Sequence, residues 1–400
     1  MKCLDNRLEE LTSEMLDFVK RLIEIPTVNP PGQKYKECID LIDNQLKKFG
    51  LETRIIEMPV KTPTPRYALL ASFGEGEETI YFHGHYDVVP SDDEGQFSPT
   101  IKEGKLFGRG ACDMKGGLTA MIYAVRILQL CDVPLTGKIC LVIVPDEETG
   151  GKYGSKYLFE NGFVKQGRLM LMPEPTSGTI WNACRGAISL LLKIKGKAIH
   201  STLHYQGTNA FENMLKVAKE FIQLKEEIEK RKTSFEAPSE EARKSILMVG
   251  GICKGGTNFN IVPGECSFSI DRRINPEENL QKEKEELFAI INRLRAEGID
   301  LEVEILQEGE SAGITSKRQD FQTFASIVEM VSGKKPVFSL CPGLLEIRYY
   351  IKNGTPAIAY GPGLLSVAHG PQEYVRINSL KECAKVYALS AIKLLSRKDI

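Results

Sequence analysis

Apolar and polar positions follow two different periods along the first 182 residues of the chain. The helical period predicts helices at residues 11–22, 34–49 and 116–130. Strand-like runs occur at residues 51–60, 66–73, 79–89, 138–146 and 168–176. The last two runs are continuously apolar, which is typical of strands covered on both faces. This succession of helices and strands predicts an α/β domain with a central, mostly parallel sheet.

The pattern changes near residue 183. A strand–helix–strand–strand–helix–strand series is predicted at residues 187–197, 208–231, 245–253, 265–274, 276–297 and 299–308. This βαββαβ order is that of a ferredoxin-like sheet with two helices on one side. A helix at 318–332, a strand at 355–363 and a helix at 379–396 then follow. We therefore predict an α/β domain formed by residues 1–182 and 309–400, interrupted by a smaller α+β domain at 183–308.

Composition narrows the function classes. The net charge is −1, from 52 basic and 53 acidic residues, which argues against a nucleic acid or an acidic membrane as the main partner. No run of 18 apolar residues exists and the N-terminal segment does not resemble a signal peptide, so we expect a cytoplasmic protein. The ten cysteines are scattered without a CxxC pair. We expect free thiols, and their spacing argues against a zinc site built on thiolates.

Histidine and acidic side chains recur at the ends of the predicted strands. His85 and Asp87 lie two positions apart, so both side chains would point to the same face of a strand. Asp87 could then accept a hydrogen bond from the second ring nitrogen of His85. A strand end that is polar by chance is the alternative interpretation. His83 shares the face, so the residues alone leave open which histidine is a ligand.

Four further clusters follow strand-like runs or glycine turns. Asp113 lies in GRGACDMKGG (108–117), where it either caps the following helix or faces a cation. Residues 146–148 are three adjacent acids, which repel each other unless a cation lies between them or one stays protonated. Glu174 and His369 complete the set. Nitrogen and oxygen donors without a thiolate suit zinc, cobalt or manganese.

Five motifs together resemble the M20 metallopeptidases, in order and in spacing, over nearly the whole chain. They are GHYDVVP (84–90), GRGACDMKGG (108–117), DEETGG (146–151), PEPT (173–176) and AHGPQEYV (368–375). The family includes acetylornithine deacetylase, succinyl-diaminopimelate desuccinylase, aminoacylase, carnosine dipeptidases and a carboxypeptidase. The resemblance implies a metallopeptidase-type catalytic domain, with the inserted domain as a lid or dimerisation module.

The resemblance also implies a centre of two divalent metal ions, with Zn²⁺ expected and Co²⁺ or Mn²⁺ as alternatives. Asp87 would orient the histidine ligand, and Glu147 would be the general base. The peptide bond between Asp113 and Met114 is often cis in the family. The implied ligands are His85 and Glu174 for the first ion, Glu148 and His369 for the second, and Asp113 as the bridge between them.

The inserted domain contributes further implied residues. His200 in GKAIHST (196–202) would stabilise the tetrahedral intermediate, and Asn260 lies in the matching NFNIVPG (258–264). Arg273 would clamp a substrate carboxylate. A strand-end salt bridge is the alternative interpretation of Arg273. If these residues act on substrate, the inserted domain must close over the metal ions.

One motif departs from the family pattern. Many members carry a Gly-Gly-Thr-Ser-Asp-x-Arg loop, and here the stretch reads PGLLEIRYY (342–350). Arg348 is kept as a substrate-binding residue and Glu346 replaces the aspartate. Leu344 and Leu345 stand in place of small hydroxyl residues. A more apolar pocket wall is expected, which puts acetylornithine and succinyl-diaminopimelate in doubt as substrates.

The favoured function is metal-dependent hydrolysis of the amide bond in a small N-acyl amino acid or related amide, by a homodimer formed through the inserted domain. A dipeptidase or carboxypeptidase of the same family is the alternative. A non-catalytic, metal-binding homologue would be expected to lack Glu147 or a ligand, and all are present. A thiol enzyme using Cys112 is disfavoured because no partnered histidine accompanies that cysteine.

Overall fold

The computed structural model describes residues 1–59, 62 and 64–396. Residue 60, at the end of the first predicted strand, lies outside the described residues. The helices are α1 (Lys2–Glu24), α2 (Tyr35–Lys48), α3 (Lys115–Leu130), α4 (Tyr157–Glu160), α5 (Ala210–Ile228), α6 (Leu280–Ala296), α7 (Gln319–Ser332), α8 (Ile347–Lys352) and α9 (Ile377–Leu395).

The strands follow the same chain order. They are β1 (Glu52–Met58), β2 (Arg66–Gly74), β3 (Thr79–His85), β4 (Thr100–Lys102), β5 (Lys105–Phe107), β6 (Lys138–Val144), β7 (Leu169–Met172), β8 (Ile180–Cys184), β9 (Gly186–Lys195), β10 (Ile246–Gly255), β11 (Glu265–Ile274), β12 (Leu301–Gly309), β13 (Ala312–Gly313), β14 (Phe338–Cys341), β15 (Ala357–Ala359) and β16 (Tyr374–Arg376).

The chain divides into two compact units. The first comprises Met1–Asn182, Ile314–Ser339 and Glu346–Ile400, and the second comprises Ala183–Gly313 and Leu340–Leu345. Within the described ranges, none of the helices combines the length and the apolar character that crossing a membrane requires.

The large sheet has the order β1-β2-β6-β3-β7-β15-β8-β13, and β14 pairs with β8. Its centre is parallel, because β6, β3, β7 and β15 pair in parallel with one another. The flanking pairs β1–β2, β2–β6, β15–β8 and β8–β13 are antiparallel. The predicted α/β class is confirmed, but the sheet is mixed rather than mostly parallel. A small sheet, β16-β5-β4, was not predicted, since its strands have only three residues each.

The parallel centre of the sheet is largely buried. Every residue of β3 and of β7 is buried, and β7 lies in one of the two continuously apolar runs. In the other run, β6 has two half-buried residues. Helix α3 is also buried over most of its length and contacts both α1 and α9. Side chains at the ends of β3 and β7 therefore lie next to buried, apolar parts of the first unit.

The second unit is built on the antiparallel sheet β10-β11-β9-β12. Helices α5 and α6 contact this sheet and each other, so both lie on one face. Asn209 and Asn279 cap the two helices by accepting hydrogen bonds from backbone N–H groups of the first turns. The predicted βαββαβ order is therefore confirmed.

Helices α1 and α3 run antiparallel and are tied together at both ends. A disulfide joins Cys3, near the start of α1, to Cys131, just after α3, with a Cα–Cα distance of 6.1 Å. At the other end the buried Lys115 Nζ donates to the carbonyl oxygens of Leu22 (2.7 Å) and Ile25 (2.8 Å). The expectation that all ten cysteines are free thiols is wrong for this pair. The two cysteines lie 128 residues apart in sequence, and only the packing of the helices brings them together.

Replacing Cys3 with Ser is expected to lower the free energy of unfolding by about 2–4 kcal/mol, because the unfolded chain gains the freedom that the cross-link removes. Urea denaturation measures the change. The exposed Cys253→Ser is the matched control and is expected to leave the midpoint unchanged. Titration of ten rather than eight thiols in the unfolded, unreduced protein would contradict the disulfide.

Candidate metal centre

The predicted metal ligands lie along the carboxyl edge of the parallel strands. His85 is the last residue of β3, Glu148 follows β6, and Glu174 follows β7. Asp113 lies in the turn before α3, and His369 lies in the segment between β15 and β16. Because parallel strands end on the same side, they bring residues that are distant in sequence to one place.

Asp113 lies between two histidines. Its Oδ1 is 3.3 Å from His85 Nε2, and its Oδ2 is 3.2 Å from His369 Nε2. His85 Nε2 is also 3.5 Å from Glu174 Oε1, and His369 Nε2 is 3.2 Å from Glu148 Oε2. Each histidine therefore contacts one glutamate and one oxygen of the shared aspartate. The ligand atoms of His85, Asp113 and Glu148 all lie within 4.8 Å of one another.

The donor set fits divalent metal ions. Oε1 of Glu148 is buried and has no hydrogen-bond partner within the described residues, and the buried Oε1 of Glu174 faces only the long contact to His85 Nε2 among them. Burial, reinforced by the charge of Asp113, raises the pKa of Glu148 to about 7 and that of Glu174 to about 8. Buried carboxyl oxygens without donors are costly unless a proton or a cation compensates them. Imidazole nitrogen and carboxylate oxygen are the donors that zinc, cobalt and manganese accept.

The two histidines differ in exposure. His85 is fully buried, whereas the side chain of His369 is half exposed. Burial opposes a charge on His85, but hydrogen bonds with Asp113, Asp87 and Glu174 outweigh burial and raise its pKa. Burial favours the neutral form of Asp113, yet its hydrogen bonds to the two histidines hold its pKa well below the usual value. The carboxylate between the histidines is therefore the anionic centre of the cluster.

Asp87 supports both sides of the site. His85 Nδ1 lies 3.0 Å from the backbone oxygen of Asp87 and 3.4 Å from its Oδ1. The same carboxylate accepts hydrogen bonds from the backbone N–H groups of Glu147 and Glu148, each at 3.2 Å. The sequence suggested only the contact to His85, because N–H groups some 60 residues away leave no mark on the H-x-D pattern.

Glu147 lies in a short helical turn, Glu147–Thr149, directly after β6. Burial is the main factor that raises the pKa of Glu147 well above its usual value. The charge of His85 opposes this effect, and the neighbouring Glu174 and Glu148 reinforce it. A carboxyl group in such surroundings can accept and hold a proton.

Glu373 is a supporting residue that the sequence analysis missed. Its Oε1 accepts hydrogen bonds from the backbone N–H groups of Cys112 (2.9 Å) and Asp113 (3.0 Å), and its Oε2 accepts one from Arg109 Nη1 at 2.8 Å. Glu373 thereby holds the turn that carries Asp113, whose peptide bond to Met114 is cis. The acid lies inside the AHGPQEYV motif, so its position beside His369 was the available signal.

His83 and Arg348 occupy a buried network next to the DEETGG turn. His83 Nε2 is 2.6 Å from Glu346 Oε2, and its Nδ1 is 3.1 Å from the Tyr350 hydroxyl. Arg348 is 4% exposed and donates to the backbone oxygen of Gly150 at 2.7 Å. The substrate-binding role of Arg348 stays a prediction, and its contacts include the turn that follows Glu148 and the hydroxyl of Tyr349.

The remaining predicted residues belong to the second unit. His200 is exposed, and its Nδ1 is 2.9 Å from the hydroxyl of Thr202. Oδ1 of Asn260 is buried without a hydrogen-bond partner in the described part of the chain. Arg273 Nε donates to Asp271 Oδ2 at 2.8 Å, which is the strand-end salt bridge of the alternative interpretation. Leu344 and Leu345 are also in this unit. The roles of His200, Asn260 and Arg273 toward substrate stay predictions.

The fold is that of a family of hydrolases. Residues 81–393 match the model of Peptidase family M20/M25/M40, and the chain belongs to this family. The resemblance inferred from the five motifs is thereby confirmed.

Individual relatives are similar over almost the whole chain. A succinyl-diaminopimelate desuccinylase of Rickettsia akari is 29% identical over 402 residues, which covers 95% of this chain and 100% of the relative. The di-peptidase Dug1p of Saccharomyces cerevisiae has a similar structure, with a TM-score of 0.81, 17% identity and 99% of each chain covered. YXEP of Bacillus subtilis, described as a dinuclear metal binding peptidase from the M20 family, has a TM-score of 0.67 at 16% identity, covering 97% of this chain and 99% of that protein.

Changing Asp113 to Asn is expected to weaken zinc binding by more than about 100-fold. Loss of a residue that only hydrogen-bonds to a metal ligand already lowers metal affinity by about 10–100-fold, and loss of a ligand should lower it further. Equilibrium dialysis with metal analysis measures this affinity. Asp132→Asn, at an exposed position after α3, is the matched control. Unchanged zinc affinity in Asp113→Asn would remove the aspartate from the ligand set.

Proposed function

We propose that this chain is a metal-dependent amidohydrolase that cleaves the amide bond of a small N-acyl amino acid or a related amide. The observation that carries the proposal is the Asp113 carboxylate, with one oxygen facing His85 and the other facing His369. Two sets of donors that share one carboxylate support a site for two neighbouring ions. Membership of the M20 family supports hydrolysis of amide bonds.

The four side chains around Asp113 divide into two ligand groups. His85 and Glu174 would hold one ion, Glu148 and His369 would hold the other, and Asp113 would serve both. When bound, a pair of divalent cations polarises an amide carbonyl and lowers the pKa of water. The dinuclear description of the Bacillus subtilis protein supports a pair of ions. We propose zinc, and cobalt or manganese would suit the same donors.

Glu147 is the proposed general base. Its carboxylate accepts a proton from the attacking water and returns it to the leaving amine. The upward shift of its pKa, caused by burial and reinforced by Glu174 and Glu148, supports a carboxylate that is more basic than usual. Asp87 holds the backbone N–H of Glu147 and keeps this carboxyl group beside the ligands.

The second unit supplies the proposed substrate contacts. His200 would stabilise the tetrahedral intermediate, while Asn260 and Arg273 would bind the polar groups of the substrate. Arg348 is retained as a proposed substrate-binding residue from the first unit. The acyl half is proposed to be succinyl or acetyl, and the Rickettsia akari relative supports succinyl. The apolar Leu344 and Leu345 argue for a less polar partner than diaminopimelate.

A dipeptidase is the second candidate function. The similarity of this fold to that of the di-peptidase Dug1p favours it. Dipeptides and N-acyl amino acids both present a carboxylate next to an amide, so one arginine clamp would serve either.

A substrate panel separates these functions. The protein, loaded in turn with zinc, cobalt and manganese, is incubated with N-succinyl and N-acetyl amino acids and with dipeptides, and released amine is measured. Turnover of the acylated amino acids in preference to dipeptides is expected. No amine release from any member with any metal would overturn the proposed function.

Changing Glu147 to Gln is expected to lower kcat by about 10²–10⁴-fold while metal content stays unchanged, because the amide cannot accept the proton. Metal analysis and turnover are measured on the same sample. Glu75→Gln, an exposed position in the first unit, is the matched control. A fully loaded Glu147→Gln protein with normal turnover would assign the base to another group.

The proposed homodimer would form through the second unit. Strand β10 lies at the edge of its sheet, where unpaired backbone groups can extend into a partner. Phe211, Leu215 and Ile222 of α5 are 46%, 53% and 50% exposed and lie on one face of the helix. An exposed apolar stripe beside an edge strand is typical of an interface.

Combining Leu215→Lys with Ile222→Lys is expected to convert a dimer into a monomer, because the charges would be buried without partners. Light scattering after size-exclusion chromatography measures the mass. Gln223→Lys adds one positive charge outside the stripe and is expected to leave the dimer intact. A monomeric unmodified protein at micromolar concentration would overturn this assignment. The cytoplasmic location expected from the sequence stays a prediction. The Cys3–Cys131 disulfide argues against this location, because disulfides are rare in reducing compartments.

A further inference from the structure

The segment after α1 runs beside the residues that follow β3. The Thr27 hydroxyl donates to the backbone oxygen of Tyr86 at 2.5 Å, and the backbone N–H of Val88 donates to Thr27 O at 3.0 Å. The N–H of Asn29 then donates to Val88 O at 2.8 Å. This backbone pairing fixes Asn29 directly beside Asp87. Its side chain is part of neither the ligand set nor the proposed substrate contacts.

The side-chain amide of Asn29 contacts three acceptors. Asn29 Nδ2 is 2.9 Å from Asp87 Oδ2, 3.0 Å from Thr149 Oγ1 and 3.3 Å from Asp146 Oδ1. The residue is only 2% exposed, so water does not replace these contacts. A primary amide has two hydrogens, and both are used by this arrangement. Asn29 therefore supplies donors that lie between two buried carboxyl groups and link them to each other.

Both carboxyl groups determine where Glu147 lies. Asp87 accepts the backbone N–H groups of Glu147 and Glu148. Asp146 is the residue immediately before Glu147, and its backbone is left-handed, with φ of 74°. This conformation is uncommon for a residue other than glycine and needs support from its surroundings.

The support for Asp146 comes from its own side chain. Asp146 Oδ2 accepts the N–H of Tyr153 at 2.9 Å, and Oδ1 accepts the Thr149 hydroxyl at 2.8 Å. Arg66 Nε lies 3.7 Å from the same Oδ1. Asn29 is the residue that connects this group to Asp87, and through Asp87 to His85.

We infer that Asn29 is a positioning residue, which fixes the general base Glu147 relative to the metal ligand His85. The inference rests on the proposed function. Asn29 contacts no reacting atom, so its effect passes through Asp87 and Asp146. Its contacts include no proposed substrate-binding residue, so its loss should act on kcat rather than KM.

Changing Asn29 to Ala is expected to lower kcat about 10–100-fold with KM and metal content nearly unchanged, as for other residues that orient a site from behind. Asn29→Asp keeps the shape but replaces the donor with a group that faces two carboxyls, and it is expected to lower kcat at least as much. Steady-state kinetics, metal analysis and thermal unfolding are measured for each variant.

Gln45→Ala is the matched control. Gln45 is also a buried amide, and it donates to Glu14 Oε1 at 2.9 Å, within the helical layer of the first unit. Its loss is expected to lower the unfolding temperature without changing kcat. If Asn29→Ala lowers kcat no more than Gln45→Ala does, Asn29 is structural only and the inference is overturned.

A double-mutant cycle tests whether Asn29 affects turnover through Glu147. In a Glu147→Gln background the group that Asn29 positions is no longer a base, so adding Asn29→Ala should change the residual turnover less than about threefold. The full 10–100-fold loss in that background, or loss of metal with Asn29→Ala alone, would overturn the inference.

A structural readout separates this inference from the proposed function. If the unmodified protein releases no amine from the panel, the proposed function fails. The positioning role of Asn29 is then tested by comparing the position of Glu147 in crystal structures of the unmodified and Asn29→Ala proteins. A shift of Glu147 relative to His85 by about 1 Å, enough to cost about 10²-fold in a catalytic site, supports it. An unchanged Glu147 overturns it.

Discussion

The sharing of one carboxylate between two imidazoles is the interaction on which the site depends. Asp113 faces His85 through one oxygen and His369 through the other, and it stays anionic in surroundings that favour the neutral form of an acid. The neighbouring glutamates respond in the opposite sense, since burial and the charge of Asp113 raise their pKa values. A cluster with this uneven distribution of charge is suited to hold cations, and it is poorly suited to being a solvated surface.

Parallel strands and hydrogen-bonded turns hold the charged side chains of this site in place. Strands β3, β6 and β7 end side by side, so three buried strands deliver a histidine and two glutamates to one edge. The turns are then fixed by carboxylates that accept backbone N–H groups: Asp87 holds the turn of Glu147, and Glu373 holds the turn of Asp113. Acids therefore have two places at this edge, as proposed metal ligands and as acceptors that hold the backbone of the turns.

Much of the site could be predicted because three of the proposed ligands lie at or just after the ends of apolar strands. His85, Glu148 and Glu174 stand out as polar residues directly after buried runs, and the α/β class follows from the same runs. The supporting contacts could not be predicted, because they join residues far apart in sequence. Asn29 and Asp87 are separated by 58 positions, and Cys112 and Glu373 by 261. The direction of the flanking strands also depends on connections that local periodicity does not report, so the sheet is mixed where a mostly parallel one was expected.

The antiparallel pair α1–α3 makes the N-terminal segment part of the structure that supports the site. The stretch that defines family membership starts at residue 81. The carbonyl oxygens that accept from Lys115, the sulfur bonded to Cys131 and the amide of Asn29 all belong to the segment between Cys3 and Asn29. A shortened protein that begins at residue 81 would keep all five proposed metal ligands and yet lack the contacts that hold them from behind. Minimal versions of this enzyme should therefore start at the first helix.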